Sequence, residues 1–232
     1  PHPCSAQHGP KDDAETQRIR RLFNSIKWQD GPCAVDVGEV AKMKIPEGYR
    51  FTGPEGSRTW AELNQNTPSG RSLGVMISSK DGEDWFLDFS FDPCGYVKDD
   101  EKSQLDGDAI LQSIREGTEA ANEQRKARGW PPMHVVGWDQ APKFDDTIKK
   151  LVWAIRGECQ GQVSVNYNVR LLGRGGVMEV KLITEPKSLK KDVAQFHSLL
   201  GGLDFKEGQR YAEWHSGDKV AEYGLTALIT GG

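Results

Sequence analysis

Two sets of polar residues at regular spacing are the side chains here best suited to chemistry. Glu119, Asn122 and Arg125 recur every three residues, so on a helix they share one face. Asn166 and Asn168 alternate with apolar neighbours, and Arg170 and Arg174 follow them. On a strand the two amides therefore point to the same, wetter face. Facing each other, helix and strand would line a polar groove of carboxylate, amide and guanidinium groups. Such a groove can bind a polar ligand. It can also serve an enzyme of unknown class, or simply be a hydrogen-bond network that ties a helix to a sheet.

Other chemistry finds less support in the spacing. Asp99, Asp100 and Glu101, with Asp106 and Asp108 beyond, form an acidic loop. A hard cation takes about six to eight oxygens, and the spacing here is not that of an EF-hand. The loop reads as solvated carboxylates followed by a helix cap, and no metal is expected. The five histidines, His2, His8, His134, His197 and His215, include no i, i+4 pair of the kind that holds zinc on a helix. Gly173-Arg174-Gly175-Gly176 lacks the Lys-Ser/Thr of a phosphate loop and reads as a hairpin turn. No Gly-x-Ser-x-Gly is present, and no cofactor signature appears, so no cofactor is expected. Any nucleophilic site would have to be assembled in space.

Four cysteines, Cys4, Cys33, Cys94 and Cys159, include no Cys-x-x-Cys. An even count allows disulfides in an oxidising compartment, and the pairing is left open. Cys4 lies in a polar, Pro-rich tail.

The chain has 232 residues, with 30 Lys plus Arg against 34 Asp plus Glu, a formal charge of −4. No global field favours nucleic acid, and none is expected as a partner. Hydrophobic residues make up 36% and include seven Trp, enough for a packed core and too many for disorder. No run approaches the ~18 apolar residues of a membrane span.

The elements that must position these residues follow from periodicity. Residues 1–10 read as tail. From Lys11 a helix carries Ile19, Leu22, Phe23 and Ile26 on one face, with Gly31-Pro32 ending that element. Cys33–Val37 and Lys42–Ile45 are short extended pieces, and 45–51 is a strand interrupted by turn residues. Gly53–Asn66 holds a short helix with Trp60 and Leu63 inward. Leu73–Ser78 and Trp85–Phe91 form a hairpin around Asp81-Gly82, a pair suited to a tight turn. Trp85, Leu87, Phe89 and Phe91 share its buried face, and Asp88 and Ser90 the other. A long helix runs from about Asp108 to Arg128, capped by Asp106 or Asp108 and ended by Gly129. Met133–Asp139, Lys149–Glu158, Gln162–Leu172 and Val177–Thr184 are strands. Ser188 then starts a helix with Leu189, Val193, Phe196 and Leu200 inward, stopped by Gly201-Gly202.

Runs of strands closed by helices indicate an α+β fold, an antiparallel sheet packed by long helices. The order resembles the Mog1/PsbP type of sandwich. Two segments, 46–129 and 142–201, repeat the succession of strand, hairpin and helix, and are expected to be pseudo-repeat halves. The organisation is then a tail and amphipathic helix over 1–24, an α+β body over 25–216 and a last element over 217–232. That last element reads as the opening of an apolar helix, the alternative being a short helix docked on the core.

Several short motifs occur in order: Trp28-Gln29-Asp30-Gly31-Pro32, Gly95-Tyr96-Val97-Lys98-Asp99-Asp100, Asn122-Glu123-Gln124-Arg125, Gly137-Trp138, Leu151-Val152-Trp153-Ala154, Asn166-Tyr167-Asn168, Leu172-Gly173-Arg174, and Gly217-Asp218-Lys219 with Tyr223-Gly224-Leu225. Together, from Ser25 to Gly232, they resemble an uncharacterised bacterial family of membrane-anchored proteins, domain of unknown function family 2167. The resemblance implies export behind a signal peptide and a membrane segment beyond this chain, which would anchor residues 217–232. It implies an oxidising, extracytoplasmic location in the periplasm or cell envelope. It supplies no activity. Many members of the family resemble one another in a His near the position of Lys149, where this chain departs. Cys33 and Cys94 sit inside otherwise familiar motifs, so a disulfide among Cys33, Cys94 and Cys159 would be particular to this protein. The expected function is an envelope ectodomain that binds an unknown protein or envelope component through its sheet face or the Asp92–Asp108 loop. The alternative is an enzyme built on the Glu/Asn/Arg cluster.

Overall fold

Alternating apolar and polar residues organise most of the chain into antiparallel strands. The computed structural model describes residues 11–100, 102 and 105–230. In chain order the elements are α1 (Lys11–Ser25), β1 (Gln29–Asp30), β2 (Cys33–Val37), β3 (Ala41–Ile45), β4 (Tyr49–Thr52), α2 (Pro54–Leu63), β5 (Ser72–Ser78), β6 (Phe86–Asp92), α3 (Gly107–Ala127), β7 (His134–Asp145), β8 (Lys150–Cys159), β9 (Gln162–Leu172), β10 (Val177–Thr184), α4 (Leu189–Leu200), β11 (Leu203–Phe205) and α5 (Leu225–Thr230). Eight strands form one sheet in the order β1-β4-β5-β6-β10-β9-β8-β7, and β11-β3-β2 form a second, small sheet. The fold is α+β. Segments 46–129 and 142–201 both feed the large sheet, which they share at the β6–β10 pairing.

One face of the large sheet carries the main core. Leu87 lies opposite Leu182, and Leu182 opposite Tyr167; the next row is Phe89, Val180 and Val169. The small sheet and α4 cover this face with Val35, Val37, Met43, Ile45, Phe196 and Leu199. Trp85 and Phe91 pack in the same cluster, as the period of two requires.

The other face is covered only at its two sides. Toward β7 and β8, α3 and α5 pack Ile110, Leu225, Leu228 and Ile229 onto Leu151, Trp153 and Val177. Toward β4 and β5, α1 and α2 bring Ile26 and Trp60 onto Val75 and Phe86, with Phe23 and Trp28 alongside. Asp106 caps α3: its carboxylate accepts from the N–H groups of Asp108 and Ala109, both at 3.1 Å. Gly129, at φ +69°, follows its end.

Local details correct the expectations. The first helix stops at Ser25, not at Gly31-Pro32; those two residues instead form a cis peptide in the connection from β1 to β2. Gly31 is required there because a Cβ would stand 2.0 Å from the Pro46 carbonyl oxygen. The expected strand over 45–51 is two strands in different sheets, with the chain crossing between them over residues 46–48. The β5–β6 hairpin closes at Ile77 opposite Phe86, so Asp81-Gly82 lies in a longer loop rather than a two-residue turn. Glu83 in that loop accepts from Gln195 of α4 at 2.7 Å, which holds it against the body.

Among the described residues of the last element, 217–230, Leu225–Thr230 are helical, and their apolar side is docked into the cluster under α3. Among the described residues no helix is long and apolar enough to cross a membrane. Cys33 packs with the main core and Cys94 with the cluster under α3; both are thiols, so no link joins them. Burial pushes the Cys94 thiol up from its ordinary range. Cys159 is buried at the end of β8, and Cys4 lies outside the described residues.

Candidate functional site

Between α2 on one side and the end of α3 with the start of β7 on the other, the second face of the sheet is left open. The opening is a groove of about 590 Å³, within the size range of ligand sites. Its floor is the polar phase of β6, β10 and β9. Asp88 lies opposite Lys181, Ser90 opposite Glu179, and Glu179 opposite Arg170. Lys181 pairs with Asp88 at 3.1 Å, and Ser90 donates to Glu179 at 3.1 Å. Arg71, on the α2 side, pairs with Asp92 at 3.0 Å. Arg170 is buried beneath this row, 3.6 Å from Glu179 and stacked over the Trp153 ring. Desolvation pulls its guanidinium down from the ordinary value and the Glu179 carboxylate opposes that pull.

The walls supply hydroxyls and amides. From α2 and the loop after it come Ser57, Asn64, Gln65 and Asn66; from β9 come Gln162, Ser164 and Asn166. Ser57 and Ser72 hydrogen-bond each other. Arg125 closes one end. Its Nε donates to Pro131 O at 2.7 Å and its Nη1 to Gln65 O at 2.9 Å, joining the end of α3 to the loop after α2.

The six residues of the expected cluster separate into four places. Arg125 and Asn166 line the groove. Glu119 and Asn122 belong to the α3–β7 seam. Asn122 bonds Met133 in both directions, and Glu119 accepts from Asn122 at 3.0 Å and contacts His134 Nδ1 at 2.8 Å. The His134 contact holds the Glu119 carboxyl below the usual range. Asn168 is buried and donates to Asn166 O at 2.9 Å. Arg174 sits in the turn after β9, at the opposite end of that strand. There it forms a bidentate pair with Asp218, at 2.7 and 2.8 Å, beside a separate cleft of about 320 Å³.

The acidic loop resolves into ion pairs. Lys149 donates to Asp99 at 2.8 Å and also to Asp146, and Lys102 donates to Asp146 at 2.7 Å. These lysines hold the Asp146 carboxyl down at about 2. Asp100 is exposed, and Glu101 lies outside the described residues. Among the described residues no group of three or more His, Cys, Asp or Glu could hold a metal ion.

Asp88, Glu179, Lys181 and Arg58 of the groove were not singled out from the sequence. The signal for the first three was present as the polar phase of two strands, but their meeting depends on a pairing between residues about ninety positions apart. The groove holds no His among its lining residues, and its floor carboxylates stand beside cations or hydroxyls. That arrangement suits selective binding through fixed hydrogen-bonding groups.

Among solved structures, cyanobacterial PsbP (CyanoP) from Synechocystis has 10% identity and a TM-score of 0.44, covering 78% of this chain and 93% of that one. LpqN of Mycobacterium tuberculosis, described as involved in cell envelope biogenesis, has 11% identity and a TM-score of 0.34, covering 87% and 99%. The Saccharomyces cerevisiae Ran-binding protein Mog1p has 9% identity and a TM-score of 0.33, covering 78% and 96%. No curated protein matches the sequence. A family model does match, over residues 29–232, nearly the whole described chain, and the protein therefore belongs to the family described as Protein of unknown function (DUF2167).

Proposed function

We propose that this protein is a binding module of the bacterial cell envelope, held extracytoplasmically by a membrane anchor outside the given chain, and that its ligand occupies the groove between α2 and α3. The location and anchor rest on the family resemblance. The binding role rests on one observation: a stripe of ion pairs, hydroxyls and amides floors an open groove of about 590 Å³ on the face of a sheet. A sheet face in an α+β body is ordinarily buried by apolar contact with helices. Here the helices stand apart, and the uncovered strands carry Asp88, Ser90, Glu179 and Lys181 where apolar residues would otherwise close the gap. The enzyme alternative needs Glu119, Asn122, Arg125, Asn166, Asn168 and Arg174 together, and the chain distributes them over four places.

The test is site-specific photocrosslinking in native membranes, with a photoreactive residue at Ala61 in the groove wall or at exposed Glu123 on α3. A defined adduct from position 61, absent from position 123 and lost when the groove is filled by Ser164→Trp, supports the reading. Equal labelling at both positions, or none at 61 where a control complex is captured, overturns it. Protease accessibility of the full-length protein in intact spheroplasts tests the location. Protection on the cytoplasmic side would refute it.

A further inference from the structure

The charge balance inside the groove points to its ligand. Three carboxylates at the groove are answered within the protein: Asp88 by Lys181 at 3.1 Å, Glu179 by Ser90 and Arg170, and Glu185 by Lys187 at 2.6 Å. Asp84 lies in the field of the same Lys187. Arg71 is answered by Asp92 at 3.0 Å. Among the described residues Asp84 has no ion pair of its own, and against this one carboxylate two guanidinium groups remain. Arg58 projects from α2 and makes no ion pair or side-chain hydrogen bond among the described residues. Arg125, from the opposite wall, is half-buried and spends Nε and Nη1 on the backbone carbonyls of Pro131 and Gln65, with no carboxylate within ion-pair distance among the described residues. A carbonyl oxygen satisfies a donor without neutralising the charge, so Arg125 keeps a full positive charge at the groove end.

The remaining lining selects among anions. A sugar site needs an exposed ring face for stacking, but Trp60 and Phe86 are 9% and 5% exposed and meet each other edge to face. A lipid tail would strip water from the ion pairs of the floor at a heavy desolvation cost. Gln65, Asn66, Gln162 and Asn166 instead bring side-chain amides to the lining, whose donors and acceptors match a peptide backbone, while Asn64 spends an amide N–H on Trp60 O at 2.8 Å.

We propose that the groove binds a short acidic peptide segment whose carboxylates go to Arg58 and Arg125 while its backbone is read by the flanking amides. This rests on the binding role proposed for the groove and adds its ligand class. The experiment is fluorescence polarisation of the protein with three labelled random hexapeptide mixtures that share a central Asp-Asp, Lys-Lys or Gln-Gln pair. The Asp-Asp mixture should bind about tenfold or more tightly than the others, and the advantage should shrink at high salt. Arg58→Gln should remove most of that advantage with little change in melting temperature, because Arg58 makes no ion pair or side-chain hydrogen bond among the described residues. Arg125→Gln should do the same and also lower stability. Binding of the Gln-Gln or Lys-Lys mixture that is as tight, and is abolished by Ser164→Trp, would overturn the acidic preference and leave the groove reading standing. No binding by any mixture would overturn the peptide inference, and the crosslinking at Ala61 decides the groove reading independently.

Discussion

Asn122 of α3 and Met133, one residue before β7, exchange two hydrogen bonds. The amide nitrogen donates to Met133 O and the amide oxygen accepts from Met133 N, each at 2.9 Å. A side chain thus takes the place that a neighbouring strand would hold, satisfying the backbone where β7 begins. The residue that looked most like a ligand-binding amide is a fastener between helix and sheet. Asn122→Ala leaves both Met133 groups without partners and should cost about 1–3 kcal/mol, read as a drop in denaturant midpoint. Asn122→Asp keeps the acceptor, loses the donor and should fall between. An unchanged midpoint for Asn122→Ala would show that water replaces the amide without loss.

The body of the fold was legible where pattern and pairing are local. Gln162–Leu172 and Val177–Thr184 alternate cleanly and join through a short turn, and α3 announces itself through Asp106 and Gly129. Sheet switching was not legible, because residues 45–51 read as one strand while the chain crosses between two sheets at Pro46-Glu47-Gly48. The groove was legible only in fragments. Asp88, Glu179 and Lys181 show their polar phase, yet only the β6–β10 register makes them neighbours. Arg174 was grouped with Asn166 by nearness in sequence, and the extended length of β9 carries it to the far end of the sheet. Arg58 has no pattern to announce it, since its significance lies in having no ion-pair partner among the described residues.

Asp218 fixes the loop before α5 through Arg174. The Arg174 guanidinium beside it and the His215 N–H at 3.0 Å hold its carboxyl well below the usual range. A carboxyl with a depressed folded-state pKa contributes stability above its unfolded value, near about 4, and that contribution is lost as the pH falls. Asp218→Asn should therefore lower the melting temperature at pH 7 and make progressively less difference as the pH falls below 4. A constant difference from pH 7 to pH 2.5 would refute the linkage.

Asp192 carries the opposite sign. It is buried in the first turn of α4, where Thr184 Oγ1 donates to it, and desolvation pushes its carboxyl above the ordinary range. A group with a raised folded-state pKa adds stability below its unfolded value that is lost as the pH rises through the folded value. Asp192→Asn preserves the Thr184 acceptor without a charge to bury. Relative to the parent it should gain stability on going from pH 4 to pH 7, the reverse of Asp218→Asn. Melts of both variants from pH 2.5 to pH 7 give the two signs directly, Asp218→Asn below pH 4 and Asp192→Asn above it, and parallel curves would contradict the assignment for Asp192.

The pair Asp88 and Lys181 separates what the groove needs for folding from what it needs for binding. Both are half-buried at 3.1 Å on the sheet floor. Lys181→Met alone strands the Asp88 carboxylate and should cost roughly 1 kcal/mol, more than a fully exposed pair would. Replacing both, Asp88→Leu with Lys181→Met, removes the stranded charge, and replacing such a pair by apolar residues is often neutral or stabilising. The double variant should melt near the parent while its groove floor has lost one polar row. If that row only holds the sheet together, binding of the acidic hexapeptides would survive the exchange. If the groove is a recognition surface, binding falls although the fold is intact, and a double-mutant cycle on melting and on polarisation reads the two effects from the same four proteins.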